Sequence, residues 1–252
     1  ELLARKAGVD LSMYDTGSSK ELAEKKRRLL AINDSAATFF QRCLIQTKTA
    51  VDYVKTRGLD RTVVHEFRIG YAPNEVPSLG AFLRKKGYSE KDIREAGLSN
   101  SRGGDLFRER MMVPLSDGQG QVIGFTGRIV GDVPNAPKYL NTPQTLLYDK
   151  GRHVFGLFQA KQTIREADYV VIVEGNLDVV SSHQAGVKQV VATAGTAMTE
   201  HHLKALSRLT TDIRLCFDGD KAGVAATERA VGIAQRVGVE LSIVSLPDGF
   251  KD

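Results

Sequence analysis

From Asp168 onward, runs of consecutive apolar residues alternate with stretches of helical spacing, and nothing else in the sequence constrains the fold as strongly. "DYVVIVEG" reads as strand, "LDVVSSHQAG" as helix, "VKQVVATAG" as strand and "TEHHLKALSR" as helix. "DIRLCFDGD", "AGVAATERAVGIAQRVG" and "VELSIVSLPDG" continue as strand, helix and strand. Strands apolar on both sides must be covered on both sides, and strand–helix–strand succession joins parallel strands through right-handed crossovers. The pattern predicts an α/β unit: a parallel sheet with helices on both faces.

Ahead of Asp168 the periodicity differs. From about Lys20 to Lys55 the chain lacks proline and places Leu29, Ile32, Ala36, Phe39, Phe40 and Cys43 at helical spacing, which predicts one long helix or two. "PSLGAFLRKKGYSEKDIREAGL" predicts two short helices punctuated by Gly87 and Gly97, with Ser89 as an N-cap. "RMMVPLSDGQGQVIGFTGRIV" predicts a hairpin turning at residues 117–120; its glycines resemble a dinucleotide fingerprint, but no helix pattern follows Gly127. A mixed α+β unit therefore precedes the parallel one. With 252 residues the expected division is 1–160 and 161–252, near "QAKQTIREAD".

Composition narrows the classes. A hydrophobic share of 42% and a charged share of 26% exclude a disordered or fibrous chain. A net charge of +5 suits a polyanionic partner without demanding one. No apolar stretch reaches the length of a membrane span, and no signal peptide opens the chain. Cys43 and Cys216 stand too far apart for a zinc site of C-x-x-C type and read as buried free thiols in a reducing compartment, the cytoplasm. Opening on Glu1 and ending on the loop-like "SLPDGFKD", the sequence is expected to be a piece of a longer protein.

Ligands of open parallel sheets bind beyond the carboxyl ends of the strands, which is where the acids lie. Glu174 ends the first strand, Asp178 opens the next helix, Asp218 and Asp220 end the third strand, and Asp248 and Asp252 follow the fourth. A single aspartate at such a turn is more often a cap. Acids at three of four strand ends repel one another unless a hard cation sits among them, and Mg²⁺ fits an all-oxygen set. Gly175, Gly219 and Gly223 are expected to free the backbone at these exits, by close approach or positive φ. His201 and His202 read as surface or partly buried residues, not ligands, and Met111 and Met112 as core.

"VVIVEGNLDVV" and "RLCFDGDKAG" together resemble the Toprim domain of topoisomerases, primases and related nucleases, and most of all that of bacterial DnaG-type primases. "EGNLDVV" follows the family's EGYMDV except at Asn176 and Leu177; "GTAMT" (195–199), "FDGDKAG" and "LPDG" match further. "RGLDRTVVHEFRIGYAP" (57–73), "FRERMMVP" (107–114), "GQVIGFTGR" (120–128), "PKYLNTPQT" (137–145) and "YDKGRHVFGL" (148–157) resemble the basic subdomain of the same primases, in the same order. The resemblance spans essentially the whole chain.

It implies DNA-templated synthesis of short RNA primers by two-metal nucleotidyl transfer. Its metal ligands fall on Glu174, Asp218 and Asp220, with Asp178 and Asp252 as further acids; Glu174 is a ligand or a general base. Mg²⁺ is implied, two or more ions, with Mn²⁺ as substitute and no zinc. The nucleotide- and template-binding surface falls on Arg108, Arg110, Arg128, Lys138, Tyr139, Asn141 and Lys150. Implied partners are single-stranded DNA, ribonucleoside triphosphates, the RNA primer, a replicative helicase met through a region not in this sequence, and guanine polyphosphates as inhibitors; a monomer is expected. "PDGFKD" carries one residue more than the family's PDGxD. The rivals are a Toprim nuclease or topoisomerase subunit and a nucleic-acid-binding module without catalysis.

Overall fold

A computed structural model describes residues 17–74, 78–131 and 136–244. The predicted helical stretch is two helices, α1 (Gly17–Gln46) and α2 (Lys48–Thr56), followed by α3 (Arg61–Glu66). β1 (Gly70–Ala72) leads to the two short helices α4 (Leu79–Lys85) and α5 (Glu90–Glu95). Ser89 caps α5 as expected, accepting the Asp92 N–H while the Asp92 carboxylate accepts the Ser89 N–H. β2 (Arg110–Ser116) and β3 (Val122–Ile129) form the predicted hairpin, and β4 (Tyr139–Asn141) completes an antiparallel sheet of order β1-β2-β3-β4.

Both faces of this sheet are buried, which is why "RMMVPL" is continuously apolar rather than alternating. Met112, Phe107 and Phe125 pack under α1, α4 and α5 with Phe40, Leu83 and Ile93. At Gly70 a Cβ would lie 2.5 Å from the Phe40 carbonyl carbon, so α1 rests directly on β1. Met111, Val113 and Leu115 face the other way, into a cluster with Val54, Val63, Phe67 and Phe155.

That second cluster continues into the next unit through Val179, Val180, Val190 and Ala192. The unit begins with α6 (Leu157–Ala167) and runs β5 (Val170–Val173), α7 (Asn176–Gln184), β6 (Val190–Ala192), α8 (Glu200–Leu206), β7 (Ile213–Leu215), α9 (Lys221–Val237), β8 (Leu241–Ile243). Its strands are parallel in the order β6-β5-β7-β8. Val190 and Ala192 face α7 and the first unit, whereas Val170, Ile172, Val191, Ile213 and Leu215 face α6, α8 and α9 through Ile164, Leu203 and Ala234. The two sheets therefore share one hydrophobic core with α7 between them. The expected break after residue 160 falls inside α6, whose Ala160 and Ile164 pack in the parallel sheet's own cluster with Val170, Ile172 and Leu203.

Two expectations need correction. Cys43 and Cys216 are free but only half-buried. His202 is fully buried, because its ring folds back to cap its own helix, while His201 is exposed as expected. Met111 and Met112 are core. Among the described residues no helix is long and apolar enough to cross a membrane.

Candidate active site

The chain leaves β5 through α7 towards β6 on one side, and leaves β7 through α9 towards β8 on the other. The crevice between the carboxyl ends of β5 and β7 is thus the point where the winding reverses, the usual binding place of an open α/β sheet. Glu174 follows β5 and Asp218 follows β7, so the two acids flank that crevice. They are joined directly: the Asp218 N–H donates to Glu174 Oε1 at 3.2 Å.

The other acids are held by helix ends. Asp220 is the N-cap of α9, its Oδ1 accepting the N–H groups of Ala222 at 2.8 Å and Gly223 at 2.9 Å. Asp178 Oδ2 accepts the Gly175 N–H at 2.8 Å at the start of α7. Both are the capping role an aspartate favours, and both leave the carboxylate at the mouth of the crevice. Asp248 and Asp252 lie outside the described residues.

The glycines act differently from expectation. None of Gly175, Gly219 and Gly223 has positive φ. Gly223 serves by close approach: a Cβ there would stand 2.0 Å from the Asp218 carbonyl oxygen and 2.9 Å from Glu174 Oε1. Its lack of a side chain lets the first turn of α9 press onto both acids.

Burial raises the Glu174 pKa above the ordinary carboxylate value; the Asp218 N–H opposes the rise, and the charges of Asp218, Asp220 and Asp178 add to it. Cys216, beside the same acids, has its thiol pKa raised by burial and by the charges of Asp218 and Asp178. Four mutually repelling carboxylates in an all-oxygen set fit a hard divalent cation. Among the described residues, no three His, Cys, Asp or Glu side chains converge closely enough to form a metal cage on their own.

The basic set divides. Arg108 and Lys138 are exposed and Lys150 half-buried, and among the described residues none of the three makes an ion pair. Arg128 Nε donates to the Tyr53 hydroxyl at 2.8 Å, and its Nη1 donates to the Tyr139 hydroxyl, with the guanidinium 5.2 Å from the Tyr139 ring centroid. Asn141 is half-buried on β4, paired with Thr126. Arg110 is not on the surface: it is 5% exposed, and its Nη1 donates to the carbonyls of Gly127 at 3.1 Å and Pro137 at 2.9 Å. It pairs as the first residue of β2 with Ile129 and lies on the Met112 face of the sheet, which is covered. It links β2 to β3 and to the connection that precedes β4.

Acids and bases border a common core. Val130, just past Arg128, and Val173 and Leu177, on either side of Glu174, pack against the same cluster. Three contributors escape sequence reading. Tyr53 is 75 residues from its partner Arg128. Thr199 donates to the Gly151 carbonyl at 2.6 Å, and His202 caps the same turn. The Thr199-x-x-His202 spacing is a capping-box pattern with histidine in place of the usual acid, the one local signal available.

Residues 39–161 match the family described as "DNA primase catalytic core, N-terminal domain", and residues 171–252 match "Toprim-like". The DNA primase of Clostridium acetobutylicum is 39% identical over 230 residues, which are 90% of this chain and 38% of that protein. The RNA polymerase domain of Mycobacterium tuberculosis primase DnaG superposes with a TM-score of 0.82 at 36% identity, covering 89% of this chain and 77% of that one. A DnaG primase catalytic domain solved bound to ssDNA gives a TM-score of 0.79 at 36% identity, over 91% of this chain and 76% of that one. The chain spans 38% and 42% of the length of the primases of C. acetobutylicum and Staphylococcus epidermidis.

Proposed function

Because this chain belongs to the family of bacterial DnaG-type DNA primases, we propose that it forms the part of such an enzyme that joins ribonucleotides on a single-stranded DNA template. The observation that carries the reading is the pairing of Glu174 with Asp218 across the crevice between β5 and β7, through the Asp218 N–H. Residues up to about Gly156 would form the template- and nucleotide-binding unit, and α6 onward the unit that carries the catalytic acids.

In this reading Glu174, Asp218 and Asp220, with Asp178 and Asp252 as additional acids, would hold divalent ions, Mg²⁺ with Mn²⁺ as substitute, and such ions would supply charge stabilisation for phosphoryl transfer. Asp220 is oriented by the α9 turn and Asp218 by the close approach of Gly223. Arg108, Lys138 and Lys150 meet phosphates of triphosphate and template; Arg128 is held by Tyr53 and Tyr139, and the part of the Tyr139 ring that stays exposed would stack on a base. Polyphosphorylated guanine nucleotides would compete for the same basic surface. A helicase would be engaged by parts of the longer relatives.

The test is incubation with single-stranded DNA, labelled ribonucleoside triphosphates and Mg²⁺ or Mn²⁺. RNA oligomers that disappear with Asp218→Asn support the proposal. Nicked DNA without RNA products would sink it in favour of a Toprim nuclease.

A further inference from the structure

The segment that leaves the basic unit passes through residues 148–155, which carry Lys150, before joining the second unit. Asp149 gives this loop a fixed shape: Oδ1 accepts the Gly151 N–H at 2.9 Å, and the Asp149 carbonyl accepts those of Arg152 and His153, both at 3.1 Å. Phe155 then bridges Ala192 at the end of β6, exchanging backbone hydrogen bonds of 2.8 and 3.1 Å. The loop therefore lies at the carboxyl end of the second sheet, one strand away from Glu174.

A single side chain of the second unit grips its middle. The Thr199 hydroxyl donates to the Gly151 carbonyl at 2.6 Å and accepts the His202 N–H at 3.3 Å, so its proton and one lone pair are both engaged. The Thr199 N–H in turn donates to His202 Nδ1 at 3.2 Å. With Nδ1 accepting, the neutral ring carries its proton on Nε2. Nε2 is buried and makes no hydrogen bond of regular geometry, while the Lys150 carbonyl lies close enough to favour a proton on the ring.

Beneath the loop lie two more buried polar atoms without regular partners, the Tyr148 hydroxyl and His153 Nε2, with the two rings 5.6 Å apart. Burial, with His202 adding to it, lowers the His153 pKa to about 3, and burial lowers that of His202 as well. Burial thus disfavours a positive charge on either ring. The cap itself is fixed to β6: in the tight loop after that strand, Thr193 Oγ1 donates to the Thr196 carbonyl at 2.7 Å and Thr196 Oγ1 to the Thr193 carbonyl at 2.6 Å.

We infer that Thr199 and His202 are positioning residues that clamp the Lys150 loop of the basic unit to the carboxyl end of the catalytic sheet, so that Lys150 meets a nucleotide triphosphate in one fixed place beside the acids. The inference rests on the reading of Lys150 as a phosphate ligand. It joins the "YDKGRH" and "GTAMT" segments in one role, with the first supplying the cation and the second fixing its position.

The test uses a fluorescent ATP analogue in anisotropy titrations with Mg²⁺ present. Thr199→Val keeps the shape of the side chain but removes the hydroxyl; it is expected to weaken binding about tenfold. Thr199→Ser, which restores the hydroxyl, should bind within twofold of the parent chain. In a Lys150→Ala background, where affinity is already reduced, Thr199→Val should add less than twofold, because there is no ammonium left to position. Hydrogen exchange accompanies the titrations, with faster exchange expected at residues 150–153 and protection retained in α9. A Thr199→Val chain that binds like the parent, while Lys150→Ala binds weakly, overturns the clamp and leaves the functional reading standing. Normal binding by Lys150→Ala overturns the premise as well. Loss of protection throughout the second unit in Thr199→Val assigns Thr199 a general folding role and likewise overturns the inference.

Discussion

Replacing Gly223 by alanine sets two effects of opposite sign against each other. Gly223 lies in the first turn of α9, and alanine in a helix is favoured over glycine by about 1 kcal/mol. Against this, the new Cβ would stand 2.0 Å from the Asp218 carbonyl oxygen and 2.9 Å from Glu174 Oε1. Ordinary contact begins at about 3.4 Å, so the helix end or the Asp218 backbone must yield by more than about 1 Å, and overpacking of this kind costs about 1–3 kcal/mol. Because the clash is with backbone, the upper end applies and the net loss is about 2 kcal/mol. For a chain of this size that is a fall of roughly 4–8 °C in Tm. The same displacement moves Asp218 and Glu174, and a misplacement of about 1 Å at a reacting centre costs on the order of 100-fold in rate. Gly232 in the same helix is the control: the nearest atom to its added Cβ is Arg236 Nη1 at 4.0 Å, so Gly232→Ala should raise Tm by roughly 2–4 °C. Thermal melts of the two variants decide the matter. If Gly223→Ala melts at or above the parent chain, close packing of α9 on the acids is not what requires glycine there.

Arg110→Met should lower stability in urea titrations by about 1.5–3 kcal/mol, since it removes charge-assisted bonds to the Gly127 and Pro137 carbonyls, yet leave the DNA affinity of the folded chain near normal; unchanged stability with lost DNA binding would return Arg110 to the ligand surface. Because Glu174 has a folded-state pKa above its unfolded one, it binds a proton more tightly when folded, so its contribution strengthens as pH falls through the raised pKa and is lost as pH rises. Glu174→Gln should therefore melt above the parent chain at pH 8 in EDTA, lose that advantage near pH 4, and gain less from added Mn²⁺. Asp220→Asn preserves a good N-cap and should keep Tm while abolishing primer synthesis, whereas Asp220→Ala should also lose about 1 kcal/mol of stability. Lys138→Ala should weaken binding of single-stranded DNA similarly for all sequences and reduce the logarithmic salt slope in anisotropy titrations by about 0.7.

The second sheet was legible because its inward positions are apolar and its strands end abruptly, β5 in Glu174, β6 in Thr193 and β7, after Cys216 and Phe217, in Asp218. Strand ends also mark where ligands bind, which brought Glu174, Asp218 and Asp220 into view together. The burial of Arg110 was not legible because β2 is covered on both faces. Met111 and Met112 belong to opposite cores, and the period of two then places Arg110 inside with Met112, where its guanidinium needs acceptors that only the folded β3 and its connection to β4 supply. Gly127 makes the space, since a Cβ there would lie 2.9 Å from Arg110 Cδ. The Tyr53 support of Arg128 and the Thr199 grip on Gly151 join residues 75 and 48 positions apart, and no local pattern encodes such a pairing.

Three of the four acids at the crevice share one device. Glu174 Oε1, Asp178 Oδ2 and Asp220 Oδ1 each accept backbone N–H groups, from Asp218, from Gly175, and from Ala222 and Gly223. A lysine or arginine would orient a carboxylate too, but its full positive charge would cancel what a divalent cation needs to find there. Backbone N–H groups orient a carboxylate with only partial charge, and two of the three come with helix N-termini that favour its ionised form. The side chains thereby lose rotamer freedom on folding rather than on binding, which lowers the entropy cost of gathering them around an ion. Turn chemistry that capping alone would explain residue by residue becomes, at the ends of two adjacent strands where the winding reverses, a set of carboxylates each oriented by backbone N–H groups.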